Sequence, residues 1–323
     1  MAANGKNALH LATHSGWYRF ERNGAEWAQT DRALTFWQVS CIQVDPDDAR
    51  RVYAGTEHSG MFVTENGGKD WRRAEPNVPC LEMSAMLALP GKLLVGTRPA
   101  ALYLKSANQD WQEIKGVRQG ALGGTFPPNP ELAPRTRVLT KENGAGKRMY
   151  AGIEVGGILV SDDDGASWVK RNDGLTDPDL HQILSAKNKP GLLVAACGEG
   201  VARSTDRGDK WEPVTPAGGR TYGNALAEDD QGNLYLGITQ DRPRTWLRAG
   251  RARTAVFKSP DGAHWQFLSD QMSGGVMEMC AAPDGDGVLV GTADGEVVYV
   301  ASSGNTKTLI SGLPCINGLA LGA

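Results

Sequence analysis

The stretch that decides the fold reads Ser161-Asp162-Asp163-Asp164-Gly165-Ala166-Ser167-Trp168. An Asp side chain can bond the backbone N–H groups just ahead of it and close a turn, while Gly tolerates the positive φ such a turn needs. The Trp then buries a large ring as the next strand leaves. The same turn recurs as Thr64 to Trp71 and Ser204 to Trp211, one residue shorter as Ser259 to Trp265, and in degenerate form as Ser106 to Trp111. Glu21 to Trp27 keeps Asn23, Gly24 and the Trp.

Around each turn lies a larger unit, and such periods are the signature of repeat architectures. In the second unit, Ser40 to Val44 leads through Asp45-Pro46-Asp47 into Val52-Tyr53-Ala54-Gly55-Thr56, then Gly60 to Val63, the turn, and Trp71-Arg72-Arg73. The second strand of that unit returns as Leu93 to Thr97, Met149 to Ile153, Leu234 to Ile238 and Val288 to Thr292; Leu192 to Ala196 and Leu9 to Thr13 also fit. No segment has a helical period. Four short strands per unit and seven units predict an all-β, seven-bladed β-propeller of antiparallel blades, one domain over residues 1–323. The first unit lacks an opening strand, and Ile316 to Leu321 reads as that strand, so the C-terminus is expected to complete the first blade.

These residues resemble the Asp-box (BNR) propeller superfamily, which includes sialidases, sortilin-type receptors, xyloglucan hydrolases and a photosystem II assembly factor. The resemblance implies that the box residues are structural. It also implies that an active site lies on the face opposite them. A sialidase is not expected: that chemistry needs an Arg triad, a Tyr–Glu pair, an Asp acid and an Arg-Ile-Pro element near the N-terminus. The element is absent, Arg19 is the sole Arg near a first-blade mouth loop, and Arg98, Arg137 and Arg242 with Tyr222 only imitate a triad.

Composition narrows function. The 41 Gly and 17 Pro suit many strands and tight turns. A net charge of −3 argues against nucleic-acid binding, which needs a basic face. No apolar run approaches the roughly 20 residues that span a bilayer, so no membrane partner is expected. Met1 to Lys6 lacks the charged start and apolar core of a secretory leader. The five cysteines, Cys41, Cys80, Cys197, Cys280 and Cys315, are odd in number and hold no CxxC pair. Together these features lead to a cytoplasmic expectation.

Strand direction puts the repeat turns on one face and the second-to-third-strand turns on the other. The second face offers His14, Glu57, His58, Arg98, Glu154, Cys197, Glu199, Gln240, Asp241, Arg242 and Asp294. The starts of the innermost strands add Gln38, Glu82, Arg137, His181, Asn224, Glu278 and Asn317. Several carboxylates at one mouth could hold an acid and a base; the plain alternative is solvated loop tips. Glu57, His58, Glu154, His181 and Glu199 could ligate a divalent metal, and His181 could activate the Cys197 thiol. Two insertions face the same way: residues 117–136, with Gly120, Gly123, Gly124 and Pro127 to Pro130, and residues 240–254, with Arg242, Arg244, Arg248, Arg251 and Arg253 around Trp246. Two functions follow. One is a hydrolase or lyase acting on a small polar or anionic molecule, with Glu57, His58, Glu154, His181, Cys197 and Glu199 for chemistry and Arg98, Arg137, Tyr222, Asn224, Arg242, Trp246 and Glu278 for binding. The other is a non-catalytic scaffold docking a protein through the Arg-rich loop of the sixth blade.

Overall fold

Continuous apolar runs in the middle strands, such as Leu93 to Val95 and Ile158 to Val160, leave each four-stranded unit with two apolar faces, and only a neighbouring unit can cover them. A computed structural model shows the outcome: seven four-stranded antiparallel sheets arranged as the blades of a propeller. It describes residues 7–74, 82–107, 109–118, 122, 133–144, 146–175, 177–240, 242–243, 246 and 252–322. Blade one runs Ile316–Gly322, Ala8–Thr13, Gly16–Asn23 and Glu26–Ala33 from the channel outward. The C-terminal strand therefore completes the first blade, with Ala8 opposite Gly322 and Leu11 opposite Leu319. The innermost strands of blades two to seven are Val39–Val44, Met83–Leu89, Arg135–Lys141, Leu180–Ser185, Tyr222–Glu228 and Val276–Ala281.

Apolar layers between blades form the core. One joins Val138, Tyr150 and Val160 of blade four to Leu180, Ile183 and Leu193 of blade five. The glycine in the second strand of most blades lets the next blade approach. A Cβ on Gly96 would sit 2.4 Å from Thr136 Cγ2, and one on Gly237 would sit 2.6 Å from Val276 Cγ1.

The repeat turn is a closed hydrogen-bond net. Ser161 Oγ donates to Asp163 Oδ1 at 2.8 Å and accepts from Gly165 N at 2.9 Å, while Ser167 N donates to Asp163 Oδ1 at 2.8 Å. Trp168 Nε1 reaches Gly165 O at 3.0 Å. The Thr64 and Ser204 hydroxyls likewise accept from Gly68 N and Gly208 N, four residues on. The shorter copy makes this bond three residues on, from Gly262 N to Ser259 Oγ at 2.8 Å. Among the described residues no helix is long and apolar enough to cross a membrane.

Candidate functional site at the channel mouth

Every innermost strand carries a β-bulge at its mouth end. In blade two Val39 pairs with Thr56 and Cys41 with Gly55, so Ser40 has no partner across the ladder. The same shift singles out Ser84, Arg137, His181, Asn224, Met277 and Asn317 in the other blades. A bulge re-aims the side chain it frees, and these seven side chains ring the channel. All seven line both an outer cavity of ≈ 340 Å³ and an inner one of ≈ 360 Å³, so the ring is the waist between them.

Five of the seven stitch one blade to the next. Each donates to the carbonyl of the residue just before the neighbouring bulge: Ser40 to Met83, Ser84 to Thr136 at 2.7 Å, His181 to Gly223 at 2.6 Å, Asn224 to Val276, and Asn317 to Val39 at 2.8 Å. A carbonyl only accepts, so the His181 proton is on Nδ1; Nε2 faces Asp179 Oδ1 at 3.6 Å. Met277 has no group to donate. Arg137 has five side-chain N–H donors, and among the described residues its side chain makes no hydrogen bond.

The outer cavity is lined by His14, Gln38, Glu57, Glu82, Arg98, Arg135, Glu154, Tyr222, Pro243 and Trp246 as well as the ring. Burial pushes the Glu154 carboxyl up, but the Arg135 and Arg137 guanidiniums outweigh it and hold the group below its ordinary value. Arg135 Nε bonds Glu154 directly. Below the waist Glu278 accepts from Gln182 Nε2 at 3.3 Å and Met279 N at 3.0 Å, yet burial still pushes its carboxyl up. The Tyr222 phenol, pushed up to about 12 by burial, keeps its proton at neutral pH. Its ring centroid lies 4.5 Å from that of His181 and 5.6 Å from that of Trp246, forming an aromatic wall. Burial and the adjacent Arg135 lower the Arg137 guanidinium, opposed by Glu154, Tyr222 and Glu278; it remains cationic, as arginine does in proteins.

Of the residues singled out from sequence, Glu57, Arg98, Arg137, Glu154, His181, Tyr222, Asn224 and Trp246 meet at this cavity. Glu278 faces the inner channel instead. His58 stands in solvent beside the mouth, with Nδ1 3.6 Å from Glu82. Glu199 and Arg242 pair with each other at 3.3 Å, both exposed, and line neither cavity. Cys197 is buried in the layer between blades four and five, where burial first, then Asp177 and Asp179, push its thiol well up. It pairs with Leu180 rather than with the bulged His181, so the two side chains part. Trp246 does not protrude: it is 3% exposed and packs with Ala252 and Ala293. Arg19 is held on the outer strands of blade one by Glu21 at 2.8 Å and Asp31 at 3.5 Å. Asp294 is occupied by Ser273 and Thr292. Asp241, Arg244, Arg248, Arg251, Cys80 and the Gly- and Pro-rich segment of residues 120, 123, 124 and 127–130 lie outside the described residues.

Among the described residues no three His, Cys, Asp or Glu side chains are grouped to hold a metal ion. Arg135 was missed from sequence although it shares a strand face with Arg137, two residues on. Ser40 and Ser84 were missed as ring members because nothing in a lone Ser announces a bulge.

No protein-family model matches the sequence, and neither does any curated protein sequence. Solved structures do. A GH74 xyloglucanase from Xanthomonas campestris is 18% identical, with TM-score 0.69 over 93% of this chain and 51% of that one. YCF48 bound to D1 peptide is 13% identical, with TM-score 0.57 over 93% of this chain and 84% of that one. The WD40 β-propeller domain of Doa1 is 9% identical, with TM-score 0.61 over 91% and 89%. The chain spans only 37% and 51% of the first two GH74 structures it matches. At these identities the likeness is one of fold, a seven-bladed β-propeller, and fold alone does not fix function.

Proposed function

We propose that the protein is a hydrolase or lyase acting on a small polar or anionic molecule bound at the channel mouth. The observation that carries this reading is the cavity itself. It is concave, within the roughly 300–1,000 Å³ range of small-molecule sites, and it gathers Glu57, Glu82, Glu154, Arg98, Arg135, Arg137, His181 and Tyr222. Within it Glu154 is kept ionised, while across the waist burial favours the protonated form of Glu278. Two carboxyls pushed apart in this way supply a base and an acid. Glu154 is the base in this reading, and the Tyr222 hydroxyl is a second donor. The hydrogen-bond net of the Ser161–Trp168 turn supports grouping the chain with the Asp-box propellers, and with it the assignment of chemistry to the opposite face. Turnover of a panel of small acids, esters and lactones by purified protein tests the proposal. Glu154→Gln is expected to lower kcat at least 100-fold; unchanged kcat in this variant would remove the assigned base.

A second reading, a scaffold for a protein partner, is favoured by one comparison: the chain matches 84% of YCF48, a propeller seen with a bound peptide. It predicts that deletion of residues 240–254 abolishes partner capture while Glu57→Gln leaves it unchanged.

A further inference from the structure

The waist obeys a rule that one residue breaks. At the bulge position a polar side chain spans the seam to the next blade, and Ser, Asn and His all do so. Arg137 is the polar member of the ring that does not. The carbonyl its neighbours' pattern assigns to it is that of Leu180, the residue before the His181 bulge. Its guanidinium instead stays in the channel, between the Glu154 side above and the Glu278 side below. Blade seven shows that the seam survives without a stitch, because Met277 occupies the same position there. Arg137 is therefore dispensable as a stitch, and a guanidinium held in the channel without a hydrogen-bond partner is costly.

We infer that Arg137 is the anchor for a substrate carboxylate, and that the substrate class is a monocarboxylate whose charged end seats in the waist. This rests on the mouth being the functional site and narrows what it takes. Charge decides between oxyanions. The lining carries three guanidiniums, Arg98, Arg135 and Arg137, and three carboxylates, Glu57, Glu82 and Glu154, with Arg135 already committed to Glu154. With the lining charges already even, a monocarboxylate adds one negative charge where a dianion adds two, and the planar fork of Arg137 suits a bidentate carboxylate. A dianionic phosphate would leave an extra negative charge in a narrow, protein-walled channel. The neighbouring Tyr222 hydroxyl offers a further polar contact beside Arg137. The Tyr222, His181 and Trp246 rings wall the space above, where the uncharged part of the molecule would lie.

The test uses acetate and inorganic phosphate as probes, titrated calorimetrically into the full chain at pH 8, with melting temperature recorded alongside. Wild type is expected to bind acetate at least 10-fold tighter than phosphate. Arg137→Asn places at blade four the residue that blades one and six already use to reach the next blade. It is expected to lose acetate binding at least 10-fold while its Tm stays equal or rises. Arg137→Met, the residue of blade seven, is expected to lose binding with Tm unchanged within a few degrees. Acetate affinity equal in wild type and Arg137→Asn would overturn the inference, as would tighter binding of phosphate. A Tm that falls sharply in both variants would make Arg137 a structural prop and also overturn it. The two proposals fail separately. Turnover lost in Glu154→Gln with acetate binding indifferent to Arg137 refutes the anchor alone. Arg137-dependent acetate binding without turnover refutes the enzyme alone.

Discussion

Asn317 Nδ2 donates to the carbonyl of Val39 at 2.8 Å, tying the last strand of the chain to the second blade across 278 positions of sequence. The bond couples two closures. The strand Ile316–Gly322 completes blade one, and its bulge residue then stitches that blade to its neighbour.

Deleting residues 312–323 removes the inner strand of blade one and exposes Leu9 and Leu11, both fully buried. The truncated chain is expected to lose cooperative unfolding near the wild-type Tm. Asn317→Ala loses one hydrogen bond and should cost about 1 kcal/mol. A truncated chain that melts like full length would refute the closure. Calorimetry reads both.

Arg148 clamps blades four and five on the face of the repeat turns. It bonds Asp162 at 2.6 and 3.0 Å, Asp209 at 3.1 Å and the Arg207 carbonyl at 2.8 Å, with its side chain only 8% exposed. Both aspartates keep access to water, so their charges remain solvated when the arginine is removed. Arg148→Met is expected to lower stability by about 2 kcal/mol, measured by urea unfolding. Because the clamp is far from the mouth, ligand binding should be unaffected.

Acid stability follows from the repeat turns. The Asp163 carboxyl, bonded by the Ser167 hydroxyl and N–H groups, is lowered to about 2, and Asp206 and Asp261 are also held below their ordinary values. A depressed carboxyl contributes stability that is present above its unfolded value near 4 and is lost as pH falls through its folded value. Stability should therefore decline between about pH 4 and pH 2. Asp163→Asn preserves the acceptor, as Asn66 does toward Asp70 N at 3.0 Å, and should show a shallower decline in Tm over that range. An identical slope in the two proteins would contradict this origin.

Cys197 provides a test of where chemistry is absent. With its thiol buried and pushed up, it should resist thiol reagents in the folded protein and react only on unfolding. Cys197→Ala is expected to leave ligand binding intact. Rapid labelling of the native protein at Cys197 would contradict the burial.

The architecture was legible because it rests on local chemistry: Asp-closed turns, the Trp that follows each and a second strand that recurs from blade to blade. The mouth was legible in outline, since strand direction alone puts Glu57, Arg98 and Glu154 at one end. What alternation could not give was the bulge. It turns His181 to the waist while Cys197, opposite Leu180, stays in the core, so a pairing that regular strands would favour does not form. It also makes Ser40 and Ser84 equivalent to Arg137, an equivalence that no residue type reveals. Trp246 misled for a different reason. Loop length and flanking arginines pointed outward, but the ring buries more apolar area against Ala252 and Ala293 than a protruding loop allows it.

The most direct test of the mouth as the functional site is a crystal structure of the protein with a small molecule that it binds or turns over in solution. Density is expected between Glu154 and the waist, with an anionic group on Arg137. Density confined to the face of the repeat turns, with the mouth holding only solvent, would contradict it.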